Sequence, residues 1–273
     1  MAVDGAADTI PESLFRTGRG EPLLLLHGAL LTWESWIPVL DDLAADYSIL
    51  APTFPGHRGG PEPAQRPAVF TSLVDHCERL LDESDWPTAH IAGNSIGGWV
   101  AFELAARGRA RSVTAIAPAG LWRTPDSAGA LLRKFRTFGP LLGLGADRTP
   151  AVPGMLRSLL LPLLAHRPAA VPNQLAKAMA AAVSYCTVTD DLAEDPFLPT
   201  GFDLSTLDVP TTILLPGHDR VLPPHIYAPL TPTPLIEIHP LPDTGHIPML
   251  EAPAPITTAI RATIARANAS PKP

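Results

Sequence analysis

Two hydrophobic patterns alternate along this chain: short apolar runs, and longer stretches whose apolar residues recur at helical spacing. Leu23-Leu24-Leu25-Leu26 ends at His27-Gly28 and predicts a buried strand. Trp33 to Ala45 carries Trp33, Trp36, Ile37, Leu40, Leu43 and Ala44 at helical spacing and predicts a helix. Tyr47 to Pro52 predicts a second strand, followed by a Gly/Pro-rich loop from Pro55 to Pro67. Phe70 to Leu81 predicts a helix with Phe70, Leu73, Val74, Cys77, Leu80 and Leu81 on one face. His90 to Gly93 predicts a third strand, Gly97 to Arg107 a helix, and Ser112 to Ala117 a fourth strand.

The alternation stops at Ala119. Up to Gly201 the pattern is helical and apolar, cut by prolines such as Pro125, Pro140, Pro150, Pro162 and Pro172 into short helices. Strand signals resume at Thr211 to Leu215 and Leu235 to Ile238, and an amphipathic helix closes the chain from Pro255 to Ala267. Strands alternating with helices predict an α/β fold, a mostly parallel twisted sheet with helices on both faces. The predicted core domain spans residues 1–118 and 202–273, with residues 119–201 as a helical cap inserted into it. There are no internal repeats.

Composition narrows the class. Of 273 residues 46% are hydrophobic and 17% charged, enough for a sizeable core and too little charge for a disordered chain. Prolines number 33, about 12% against a usual 5% or so, and act as punctuation in a folded chain. The net charge of −7 and the lack of clustered Lys and Arg argue against nucleic acid as a partner. Arg133, Lys134 and Arg136 sit among apolar residues as the wet edge of a helix. Cys77 and Cys186 have neither metal nor redox spacing, and no disulfide is expected. Met1 to Pro22 lacks an apolar signal-peptide core, and the Leu-rich run from Met155 to Ala165 is too short to span a bilayer. The expectation is a soluble, cytoplasmic protein with a small-molecule partner and no membrane contact.

The chemistry centres on Gly93-Asn94-Ser95-Ile96-Gly97-Gly98, a G-x-S-x-G motif between a predicted strand and a predicted helix. A nucleophilic serine needs a sharp strand-to-helix turn, and glycines at 93 and 97 leave room for one. The helix N-terminus adds a positive dipole end where oxyanion charge would develop. A serine hydroxyl also needs a histidine base, and the base needs a carboxylate to orient it. Asp219, in Gly217-His218-Asp219-Arg220, and His246, in Thr244-Gly245-His246, each follow a predicted strand in the required order. Asp126, Asp203, Asp208 and Asp243 are weaker candidates for the acid, and no cluster shows metal-ligand spacing.

These motifs together resemble the α/β-hydrolase fold family of serine hydrolases over nearly the whole chain outside 119–201. The resemblance rests on Leu26-His27-Gly28-Ala29, Phe54-Pro55-Gly56-His57, the Ser95 turn, Gly217-His218-Asp219, and Gly245-His246 with Glu251 and Pro253 downstream. It implies a Ser95–His246–Asp219 triad, backbone oxyanion donors at Ala29 and Ile96, and no cofactor. His27 and His57 are then loop-holding residues, and His218 a rim residue. Substrate-pocket candidates are Leu30, Leu121, Trp122, Phe135, Phe138, Leu159, Val221 and Ile247, a mostly apolar set that implies a lipophilic substrate. Within the resemblance, serine at 95 excludes the dehalogenase and epoxide hydrolase branches, whose nucleophile is aspartate. Thr53 stands where the family often has aspartate, and Ala29-Leu30-Leu31 lacks the Gly/Pro-rich stretch usual in carbon–carbon bond hydrolases. The implied activity is cleavage of an ester, thioester or lactone through an acyl-enzyme. Alternatives on the same residues are carbon–carbon hydrolysis, perhydrolysis, acyl-enzyme cyclisation of a natural product, or ligand binding with little turnover.

Overall fold

The computed structural model of the chain describes residues 10–127, 129, 161–183 and 185–269. Seven strands form one sheet: β1 (Leu14–Gly18), β2 (Glu21–Leu26), β3 (Tyr47–Pro52), β4 (Ala89–Asn94), β5 (Ala110–Ile116), β6 (Thr211–Pro216) and β7 (Ile236–Leu241). Their spatial order is β1-β3-β2-β4-β5-β6-β7. Only β1 runs antiparallel, against β3, while every other pairing is parallel. The sheet and its helices have the α/β-hydrolase fold.

The apolar run in β2 shows why this sheet needs helices on both sides. Leu24 and Leu26 join one core cluster, Leu23 and Leu25 the other, and all four are fully buried. Successive side chains of a strand point to opposite faces, so an unbroken apolar run can satisfy two cores at once. Helix α2 (Phe70–Glu83) buries the six residues expected of it, and α3 (Ile96–Ala106) covers the same face. Helix α3 is apolar nearly all round because it lies between sheet and neighbouring elements. The opposite face is covered by α1 (Ile37–Leu43) and the C-terminal helix, Pro253–Ala269.

Two local expectations need correction. The run from Trp33 to Ala45 is two elements, a 3-10 turn at Trp33–Trp36 capped by Thr32 and then α1, whose first turn holds Pro38. A proline at that position lacks only a donor that the first helical turn leaves unused anyway. The second correction is β1, which the periodicity did not reveal, being a short half-exposed edge strand. The described parts of the inserted segment include helix α4 (Asn173–Val183) and short helical turns at Leu161–Leu164 and Thr189–Glu194, and residues such as Leu175, Met179 and Val188 join the two core clusters. Asp195 accepts the Phe70 N–H at 2.6 Å, so a residue 125 positions later occupies the start of α2. Trp122 pairs with Tyr227 in an isolated antiparallel bridge.

Candidate active site

Parallel register brings the relevant strand ends side by side. Leu26 lies opposite Gly93, Asn94 opposite Ile116, and Pro216 opposite Leu241. The loops after β2, β4, β6 and β7 therefore emerge along one edge, where ligands bind in open α/β sheets.

Ser95 stands at the turn from β4 into α3 with φ 55° and ψ −118°. That left-handed φ is costly for a residue with a Cβ, and both backbone polar groups of Ser95 are engaged. The Ser95 N–H donates to the Ile116 carbonyl at 2.9 Å, and its own carbonyl accepts from Gly98 and Ala119. Close approach of the β2 end to α3 requires glycine at 97. A Cβ there would lie 2.6 Å from the His27 carbonyl oxygen and closer still to that of Leu26. Replacing Gly97 with alanine is expected to cost about 3 kcal/mol, because the contact is backbone on both sides and neither can yield. Thermal unfolding reads this as a fall in Tm of roughly 6–12 °C.

The loop after β2 is a tight turn in which the Leu31 N–H donates to the Gly28 carbonyl at 3.2 Å and Leu30 takes φ 65°. It lies directly against the serine turn: a Cβ on Gly28 would sit 2.8 Å from Asn94 Oδ1 and 3.3 Å from Ser95 Cβ. His27 holds this turn. Its Nε2 accepts the Phe54 N–H at 2.9 Å, so Nδ1 carries the proton and donates to the Gly28 carbonyl at 2.7 Å. Burial, and then the neighbouring His57, push the His27 pKa well below the usual value and keep the ring neutral. Among the described residues, neither the Ala29 N–H nor the Ile96 N–H has an acceptor.

Asp219 and His246 meet as a buried pair, with His246 Nδ1 2.7 Å from Asp219 Oδ2. Asp219 Oδ1 accepts the N–H groups of Val221 and Leu222 at 2.8 and 2.7 Å. Burial works to raise the Asp219 pKa, but the His246 ring and these two donors outweigh it and hold the carboxylate below its usual range. The Tyr227 hydroxyl is buried without a hydrogen-bond partner among the described residues. Burial and then the Asp219 charge raise its pKa well above the usual value. No hydrogen bond joins the Ser95 hydroxyl to the His246 ring among the described residues. The two segments are held together instead by Asn94, whose Nδ2 donates to the His246 carbonyl at 2.9 Å and to that of Ile116 at 3.1 Å.

The pocket candidates separate on burial. Leu30, Trp122 and Val221 are half-buried, and Trp122 also donates its indole N–H to the Leu198 carbonyl at 2.7 Å. Leu121 is buried in the core cluster beneath α3. Ile247, expected as a wall, exposes no surface and packs in the opposite core cluster, so it fills the interior. Phe135, Phe138 and Leu159 lie outside the described residues. Sequence reasoning gave Asn94 no role of its own, although it adjoins the serine in the motif. No group of three or more His, Cys, Asp or Glu among the described residues could hold a metal ion, and no described helix is long and apolar enough to cross a membrane.

A mostly parallel sheet with a serine turn after one central strand and an Asp–His pair across two later loops defines a hydrolase-fold protein. A family model of the alpha/beta hydrolase family matches residues 23–259, and the chain belongs to that family. It is 38% identical over 199 residues to the epoxide hydrolase EphH of Mycobacterium tuberculosis, covering 70% of this chain and 93% of that protein. Its fold is similar to a thermophilic esterase from Thermogutta terrifontis, with TM-score 0.67, 21% identity and 93% of each chain covered. It is also similar to the enol-lactonase from Burkholderia xenovorans LB400, with TM-score 0.68, 19% identity, and 92% of this chain and 95% of that one covered.

Proposed function

We propose that the protein is a serine hydrolase that cleaves an ester, thioester or lactone of a lipophilic small molecule through an acyl-enzyme. The observation that carries this reading is the Asp219–His246 pair, held by Asn94 against the turn that bears Ser95. In the proposed cycle Asp219 stays ionised and accepts a hydrogen bond from His246 Nδ1–H, which leaves the unprotonated Nε2 as the base. His246 takes the Ser95 proton as Oγ attacks the carbonyl carbon, and the N–H groups of Ala29 and Ile96 stabilise the oxyanion. The imidazolium returns its proton to the departing alcohol or thiol. His246 then takes a proton from water as the water oxygen attacks the acyl carbonyl carbon, and returns that proton to Ser95 Oγ as the acyl–Oγ bond breaks and the acid leaves. Residues 119–201 serve as the cap over this site, with Leu30, Trp122 and Val221 toward the substrate.

Epoxide opening is the second reading, favoured by the name of the 38% identical relative. Chemistry weighs against it at Ser95. Attack of Oγ on an epoxide carbon would leave an alkyl ether, which has no carbonyl for water to attack. An acyl ester on the same oxygen can turn over.

A fluorophosphonate probe, followed by a panel of nitrophenyl esters, a vinylogous 1,5-diketone and an aryl epoxide, tests both readings. The expected result is stoichiometric labelling abolished in Ser95→Ala, with ester turnover exceeding that of the other two. No labelling of the folded protein would overturn the serine mechanism. Epoxide turnover that survives Ser95→Ala would establish the second reading instead.

A further inference from the structure

The proposed mechanism leaves one buried carboxylate beside the base without a task. Glu251 lies five residues after His246, at the end of the one-turn helix Pro248–Glu251, and is only 6% exposed. Burying an ionised carboxylate costs several kcal/mol unless its oxygens are satisfied. Glu251 is satisfied entirely by backbone donors. Its Oε1 accepts the N–H of Gly245, the residue immediately before His246, and also that of His166 at 3.2 Å. Its Oε2 accepts the Arg167 N–H at 2.6 Å. One side chain thus joins the base loop to residues 166 and 167 of the inserted segment.

The same stretch of the inserted segment touches both loops of the Asp–His pair. The Ile247 N–H donates to the Leu164 carbonyl at 3.2 Å, and Arg220 Nη1 donates to the Pro162 carbonyl at 2.8 Å. The rings of His166 and His218 stack at 3.7 Å between centroids, with 5° between their planes. Gly245 permits this approach, since a Cβ there would lie 2.6 Å from the His166 nitrogen. The His246 backbone is therefore held from two directions: Asn94 takes its carbonyl from the serine side, and Glu251 takes the preceding N–H from the inserted segment.

We infer that Glu251 is a positioning residue: it fastens residues 166 and 167 to Gly245 and so sets the direction of the His246 ring toward Ser95. The inference rests on the reading of His246 as the base. Its consequence is that residues 161–167 are a fixed abutment of the base loop, and that any movement of the inserted segment which breaks the Glu251 contacts also displaces the base.

The test is Glu251→Gln, measured beside Ser95→Ala with a nitrophenyl ester. Glutamine keeps the shape, but its Nε2 must face at least one of the three N–H donors and repel it. The expected result is a folded variant with unchanged KM and kcat lowered about 10²-fold, the cost of misplacing a reacting group by roughly 1 Å. The downfield proton resonance of His246 Nδ1–H is expected to shift with it, which simple loss of stability would not produce. Unchanged kcat and an unmoved resonance in folded Glu251→Gln would overturn the inference, provided that Ser95→Ala is inactive. Full turnover by Ser95→Ala would instead overturn the triad reading. If Glu251→Gln does not fold, amide hydrogen exchange of the wild-type protein decides. Matched protection of Gly245, His166 and Arg167 supports a common opening, and independent exchange of Gly245 overturns it.

Discussion

Replacing Ser95 by alanine is expected to lower kcat for a nitrophenyl ester by about 10⁶-fold, the scale of loss when a triad nucleophile is removed. The fold should survive. The Ser95 side chain makes no capping bond to α3, and alanine inherits the same backbone, whose N–H and carbonyl already have partners. What remains is the stabilisation that the Ala29 and Ile96 N–H groups give to direct attack by water, about 10³–10⁴ over the uncatalysed rate. Steady-state kinetics together with a melting curve separates this from unfolding. Retention of turnover within an order of magnitude would mean that another group attacks the substrate.

The second large effect is expected at Asp219. Asp219→Asn should reduce kcat about 10⁴-fold, while substrate affinity changes little. The reason lies in how the two carboxylate oxygens are used. Oδ1 accepts two backbone N–H groups, so an asparagine will turn its own oxygen toward Val221 and Leu222. Its NH₂ then faces His246 Nδ1 and forces that nitrogen to accept. The proton moves to Nε2, and the base is lost with the geometry intact. The substitution also bears on stability against acid. The folded Asp219 pKa lies below its unfolded value, so the ionised carboxylate stabilises the fold fully above about pH 4, and the contribution is lost as pH falls through the folded pKa. Acid titration of the wild type and of Asp219→Asn should diverge in that sense: the wild type loses more stability as the pH falls below about 4, the ordinary carboxylate value. An equal loss in both would show that the Asp219 charge contributes nothing to folding.

The proposed site was legible in the sequence to an unusual depth because its chemistry is written in local motifs. A strand must end where Gly93-Asn94-Ser95 begins, and a helix must start where Gly97 and Gly98 leave room, so the setting of Ser95 followed from neighbours within six positions. The same holds for His27-Gly28 after the apolar β2 and for the Asp219 loop after the apolar β6, while His246 follows the more mixed strand β7. Helix α2 was equally plain, since one amphipathic face dictates both its existence and its orientation.

What failed to show in the sequence depends on partners far along the chain. The edge strand β1 has a weak pattern and exists because β3 offers it a ladder. Ile247 has the apolar character of a pocket wall, and only packing decided that it faces the interior. Glu251 entered the sequence reading only as part of the Gly245-His246 motif, with no partner or task. Its partners at 166 and 167 lie more than eighty positions earlier and reach it only after the inserted segment folds back. Asp195 at the start of α2 and Asn94 against the His246 carbonyl are of the same kind. The sequence by itself determined the α/β architecture, the order of the strands and helices after the edge strand β1, and which candidate residues follow the strand ends. Periodicity and turn chemistry are properties of adjacent residues. Only the tertiary structure decided which polar groups hold those ends in place, because a buried donor or acceptor must be satisfied wherever the fold supplies a partner, at any distance along the chain.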